Sequence, residues 1–267
     1  MPYRTFEMVT LGPLHLRTWG MLVALGILAG AYLAVRLAPG RGIPEDRLWT
    51  LTIVVAVAGV LGSRVLWALQ PDLIGETLAH PLRLISVWEG GLTFIGGLLA
   101  AVLAGVIYAR RAGLPILSTA DVAAPGLALG LVIGRVGCFL TGLHPGRPTS
   151  LPWGIDYLGA VRHPIPLYES TLGLVLLVVG LLFLKRRVAP GATAMVVGVG
   201  YLIGRSLLDL LRAAPAEGVA GTDPRLFSSL TLTQGVALVA VPLLIALLAA
   251  ILRGRGETRA PHLQTGR

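Results

Sequence analysis

The chain has 267 residues, 55% of them hydrophobic and 13% charged, and its 22 Lys and Arg against 13 Asp and Glu give a net charge of +9. A soluble domain carries nearly twice that charged fraction, about 25%, so the composition argues against a soluble protein and leaves no room for a sizeable soluble domain. The single cysteine, Cys138, excludes an intramolecular disulfide.

Seven apolar runs predict membrane-spanning helices, near 18–38, 49–69, 91–109, 117–137, 165–184, 191–212 and 231–252. The first is too long for the core of a signal peptide and reads as a retained span. After the second, the segment Ile74–Trp88, with Leu82, Leu84 and Ile85, predicts a short amphipathic helix at the interface. The third opens on Trp88-Glu89-Gly90-Gly91-Leu92-Thr93-Phe94-Ile95-Gly96-Gly97, where paired glycines suit close helix packing or a ligand-lined entry. The fourth ends in Gly134-Arg135-Val136-Gly137-Cys138-Phe139, and the fifth opens on His163-Pro164-Ile165-Pro166-Leu167-Tyr168-Glu169, its prolines suited to a helix start. The polar tail 254–267 reads as a disordered cytoplasmic segment, leaving 1–253 as one membrane domain. The fold class is therefore all-α, a polytopic membrane protein of seven transmembrane helices.

Charge placement sets the orientation. With the N-terminus outside and the C-terminus cytoplasmic, Arg36, Arg41, Arg47, Arg110, Arg111, Lys185, Arg186, Arg187, Arg253, Arg255, Arg259 and Arg267 fall inside. Only Arg4, Arg17, Arg83, Arg147, Arg162 and Arg225 fall outside. This bias follows the positive-inside rule and explains the basic charge without nucleic acid as a partner.

Arg64, Arg135, Arg205 and Arg212 lie in or at the ends of apolar runs, where each costs about 2.5–3.5 kcal/mol at a helix centre and less near an interface. The predicted topology puts all four in the outer half of the membrane, which implies one shared site. Tyr201, Arg205, Asp209 and Arg212 follow at spacings of four, four and three and so share one helical face. Asp209 cannot neutralise two arginines, and Glu169 reads as a buried counter-ion. A surviving cation with planar donors suits an anionic lipid head group. Asp121, about 21 Å from Arg135 along a regular helix, reads as a separate structural carboxylate.

Taken together and in this order, WEGGLTFIGG, DVAAP, GRVGCFLTGLHPGRPTSLPWG, HPIPLYE and YLIGRSLLDLLR resemble the prolipoprotein diacylglyceryl transferases over nearly the whole chain. The resemblance implies an enzyme of the bacterial inner membrane, multi-pass, with its active site toward the outer leaflet. It would move the diacylglyceryl moiety of phosphatidylglycerol onto the lipobox cysteine of a prolipoprotein signal peptide and release glycerol-1-phosphate. Neither a cofactor nor a metal is implied. Arg135, Arg205 and Tyr201 match catalytic positions. Arg64, Gly96, Gly97, Gly137, Cys138, His163, Tyr168, Glu169, Asp209 and Arg212 are expected to surround the substrates within the lipid bilayer.

The chain departs from the family pattern at four positions. Ile95 stands where the family commonly has histidine, and Cys138, Thr141 and Leu143 replace the usual asparagine, asparagine and glutamate of the signature. His144, His163 and Tyr201 are then the candidate substitute bases. A covalent role for Cys138 is disfavoured, since a lone cysteine at a helix end is usually packing. Two other readings compete: a family relative with a different lipid donor or acceptor, or one that binds lipid without turnover, and a transporter of an anionic solute.

Overall fold

Apolar runs of this length fold as helices, because hydrocarbon offers no partner to a backbone amide and a helix satisfies its own. The computed structural model describes residues 3–12, 14–86, 91–157, 159–186, 188–213, 225–226 and 230–257. Its helices are α1 (Thr18–Leu37), α2 (Glu45–Ala68), α3 (Ile74–Ala79), α4 (Phe94–Arg111), α5 (Ile116–Leu140), α6 (Ile165–Lys185), α7 (Ala192–Asp209) and α8 (Leu232–Glu257). Six candidate spans are long and apolar enough to cross a membrane: Thr18–Arg41, Glu45–Ala68, Ile116–Leu140, Ile165–Lys185, Ala192–Asp209 and Leu232–Arg253. The remaining expected span is α4, an 18-residue helix ending in Arg110 and Arg111.

The differences from the sequence reading lie at the ends. The sixth expected span stops at Asp209, so Arg212 sits in the turn beyond it. α8 continues to Glu257, into the expected tail, and residues 258–267 lie outside the described residues. Within Ile74–Trp88 the structure forms α3 and a short 3-10 turn, Pro81–Leu84, while Trp88 lies outside the described residues. Three two-stranded antiparallel hairpins also occur: β1 (Met8–Leu11) with β2 (Leu14–Arg17), β3 (Ile155–Tyr157) with β4 (Ala160–Arg162), and β5 (Arg225–Leu226) with β6 (Leu230–Thr231).

The chain divides into two compact units, Val35–Thr119 and the combination of Met1–Ala34 with Ala120–Arg267. In the smaller unit α2 packs on α4 through glycines. A Cβ on Gly62 would lie 2.6 Å from the Gly96 carbonyl oxygen, and one on Gly97 would lie 3.0 Å from that of Gly59. Such contact lets two backbones approach where lipid supplies no hydrophobic drive.

In the larger unit the same device joins α1 to α5, with Gly26 and Gly30 facing Gly130 and Gly126. Ala124, Ala128, Leu176 and Val197 form a core between α5, α6 and α7, and Tyr201 packs against it. Asp121, fully buried on α5, accepts hydrogen bonds from the amides of Gly191 (2.8 Å) and Ala194 (2.9 Å). It thereby caps α7 from another helix, satisfying amide donors that a helix start leaves unpaired. Gly191 takes φ 89°, a conformation that favours glycine.

The connector between α5 and α6 closes over the opposite end of α7. Beyond the β3–β4 hairpin, Gly146 bridges to Arg212 and Pro148 to Arg162. The Gly146 amide donates to His163 O (2.9 Å) and the Arg147 amide to Leu211 O (2.8 Å). The N-terminal segment docks here as well. The Phe6 amide donates to Leu140 O (2.7 Å), and Tyr3 lies 5.3 Å from Phe139 and 6.0 Å from Tyr157, ring centre to ring centre.

Candidate functional site

Glu169 is the hub of the larger unit's polar interior. It sits one turn into α6, behind the Pro164–Pro166 entry, and is 1% exposed. Its Oε2 meets Arg135 Nη1 of α5 at 2.8 Å, while its Oε1 meets Arg205 Nε of α7 at 3.0 Å and Arg212 Nη2 at 2.9 Å. One carboxylate thus holds three guanidiniums from separate segments.

A second carboxylate serves two of the same arginines. Asp209 Oδ1 pairs with Arg205 Nη1, one helical turn back, and lies 3.4 Å from Arg212 Nε. Its other oxygen accepts a 2.6 Å hydrogen bond from the Thr231 hydroxyl. Thr231 also closes a reciprocal cap with Gln234 at the start of α8: its hydroxyl accepts from the Gln234 amide (3.2 Å), and its own amide donates to Gln234 Oε1 (3.0 Å). The cap fixes the hydroxyl that holds Asp209.

Cations outnumber anions in this cluster. Among the described residues, Arg135, Arg205 and Arg212 face Glu169 and Asp209, three cations against two anions. Each guanidinium carries five N–H donors, more in total than four carboxylate oxygens can accept. Such a set can hold the non-bridging oxygens of a phosphate while the carboxylates keep the arginines oriented. Tyr201, one turn before Arg205, hydrogen-bonds Arg135.

The rim comes from the connector. Trp153 Nε1 donates to the Tyr168 hydroxyl (2.8 Å), which lies 3.3 Å from His163 Nδ1. Arg147 Nε donates to the Arg212 carbonyl (3.2 Å), and Arg212 Nη1 donates to His144 Nδ1 (3.3 Å). Burial pushes the Tyr3 phenol above its ordinary range, opposed by the hydrogen bond it accepts from the Gly142 amide (3.1 Å).

The expected site residues therefore divide. The structure gathers Arg135, Tyr201, Arg205, Asp209, Arg212 and Glu169, and sets His163 and Tyr168 on the adjoining rim. Gly137 abuts α1, where a Cβ would lie 3.0 Å from that of Leu22, and Cys138 beside it is buried, so both are engaged in packing. Arg64, Gly96 and Gly97 belong to the smaller unit. Arg64 is fully buried there, its Nε donating to Arg83 O (2.6 Å), its Nη1 3.5 Å from Gly91 O, and its guanidinium 4.5 Å from the Trp67 ring centre. Thr231 and Trp153 went unmarked in the sequence reading, although the Thr231-Leu232-Thr233-Gln234 capping pattern was a visible signal for the first.

A membrane protein of packed apolar helices, with a buried cationic cluster where three of them meet, is the class that fold and site define. Residues 7–252 match the family model described as prolipoprotein diacylglyceryl transferase. The chain is 37% identical to the phosphatidylglycerol–prolipoprotein diacylglyceryl transferase of Sinorhizobium medicae, over 94% of this chain and 92% of that protein. It is 38% identical to the protein of the same name from Geobacter sulfurreducens, over 78% of this chain and 82% of that one. The chain belongs to the prolipoprotein diacylglyceryl transferase family.

Proposed function

We propose that this chain transfers the diacylglyceryl group of phosphatidylglycerol to the lipobox cysteine thiol of prolipoproteins, releasing glycerol-1-phosphate, at the outer leaflet of the bacterial inner membrane. The observation that carries the reading is the convergence of Arg135, Arg205 and Arg212 on Glu169 and Asp209. The names of its relatives support the substrates. In this reading α4 is a seventh span, the N-terminus is outside, and 1–253 is one membrane domain.

The chemistry asks for a sulfur–carbon bond to form as the glycerol carbon–oxygen bond breaks, with the electron pair leaving on the phosphate. Arg135, Arg205 and Arg212 stabilise the charge that develops there, and Tyr201 holds Arg135 in place. A free thiol is a few per cent ionised at pH 7, and nearby guanidiniums favour the thiolate, so the reaction can proceed with Ile95 in place of histidine. The lipid's acyl chains stay in the bilayer.

The test is transfer by the purified chain in phosphatidylglycerol nanodiscs, with a lipobox peptide and mass spectrometry of the product. A diacylglyceryl adduct on the peptide cysteine, reduced about 100-fold or more in a folded Arg205→Ala variant, is the expected result. No adduct from folded protein would defeat the proposal. One observation favours a second reading, a relative acting on another lipid donor or acceptor: Ile95 is 42% exposed on the first turn of α4, where it can neither give nor take a proton. An adduct that forms only with a different anionic lipid would select it.

A further inference from the structure

His144 is the one non-glycine position among the described residues with a positive φ, 61°. Backbone held in that region by a bulky side chain is strained, and it persists only where the surroundings over-determine it. They do so here. Directly after His144, the Pro145 carbonyl accepts from the Ala213 amide (3.4 Å), and the amides of Gly146 and Arg147 are bonded to His163 and Leu211. The strained turn delivers the imidazole to Arg212, Nδ1 to Nη1, at 3.3 Å.

Arg212 lies beyond the end of α7, so no helical turn braces its side chain. A guanidinium can only donate, so the Nδ1 facing it must present a lone pair. This hydrogen bond requires a His144 with no proton on Nδ1 and its ring proton on Nε2.

We propose that His144 is a positioning residue for the phosphate site: as a neutral imidazole it holds Arg212 against Glu169 and Asp209, and its protonation releases that guanidinium. An imidazolium has donors at both nitrogens and repels the arginine. Among the described residues, the charged and titratable groups around it include Arg212 directly, Glu169 and Asp209 across Arg212, and Arg135 and Arg205 across those carboxylates. In the connector, Arg147 bonds the Arg212 carbonyl, Arg162 Nη1 bonds the Gly146 carbonyl (3.1 Å), and the His163 amide donates to Arg147 O. The inference rests on the diacylglyceryl-transfer reading for its functional consequence, though not for its geometry.

Two substitutions separate the backbone from the side chain. Asn and Gly both accept a positive φ, but only Asn places an acceptor near the position of Nδ1, and it does not titrate. In the nanodisc transfer assay near pH 8, His144→Asn should stay within about threefold of wild type, while His144→Gly should fall about 10- to 100-fold. Between about pH 8 and pH 5 the wild-type rate should drop more steeply than that of His144→Asn.

The proposal is overturned if His144→Gly matches wild type, if His144→Asn falls as far as His144→Gly, or if wild type and His144→Asn share one pH profile. A wild type with no transfer at any pH would instead defeat the transferase reading. Nitrogen NMR of protein labelled at its five histidines then still decides the inference, with the His144 signals assigned by their loss in His144→Asn. An unprotonated Nδ1 near pH 8 supports it, and an Nδ1–H tautomer or an imidazolium overturns it.

Discussion

Arg64 and Arg205 are both nearly solvent-free arginines inside long apolar helices, yet their surroundings differ in kind. The partners of Arg64 include two backbone carbonyls and an indole face within the smaller unit. Those of Arg205 are two carboxylates, and one of these also holds Arg135 and Arg212. Backbone carbonyls and a ring face hold a guanidinium in fixed geometry, which suits a pin between α2 and the backbone at Arg83 and Gly91. Shared carboxylates orient several guanidiniums at once, which suits a site that receives an anion. Two arginines that look alike in hydropathy thus part into a clamp on the fold and a clamp on a ligand.

The sharpest way to break this comparison is at Glu169. Glu169→Ala strips Arg135, Arg205 and Arg212 of the carboxylate they share, and removing one partner of a buried ion pair costs about 3–5 kcal/mol. A thermal melt should show the largest loss of stability of any variant here; an unchanged melting temperature would mean that the cluster is hydrated and not a buried network. Next comes Arg64→Met. It should loosen the backbone around Arg83, seen as faster hydrogen exchange at Arg83 and Ile85, while transfer falls far less than in Arg205→Ala. Equal losses of transfer in the two variants would erase the distinction.

Smaller effects sharpen the picture. Thr231→Val removes the hydroxyl that caps α8 and holds Asp209, and should cost about 1–2 kcal/mol of stability. The accompanying loss of transfer, if the hydroxyl positions Asp209, should exceed that of a change at the exposed Leu230. Least of all, Tyr3→Phe deletes the acceptor for the Gly142 amide, worth about 1 kcal/mol. Because burial raises the Tyr3 phenol, the unfolded chain gives up that proton first. The stability it contributes is full below the unfolded value, about pH 10, and is lost as pH rises through the folded one. Wild type and Tyr3→Phe should therefore converge in stability in alkaline urea titrations; parallel curves would show that the phenol is exposed.

Hydropathy alone was enough to locate every long helix to within a few residues, because a chain in hydrocarbon has no alternative to internal hydrogen bonding. The face shared by Tyr201, Arg205 and Asp209 was legible for a related reason: a helix fixes the angle between residues four apart. The hairpins were not legible. β3 and β4 have three residues each, too few for an alternating pattern, and they hold because the connector's backbone bonds to the end of α7.

The sequence by itself also determined that arginines and carboxylates would share a membrane interior, since their cost there demands partners. Which partners meet was decided by the tertiary structure. Glu169 reaches Arg212 across 43 positions of chain, and α5, α6 and α7 converge on that carboxylate through a core of small residues and leucines whose contacts no local pattern encodes. The same convergence turned His144 toward Arg212, because a side chain's partners depend on which backbones pack together and local spacing governs only neighbours on one element.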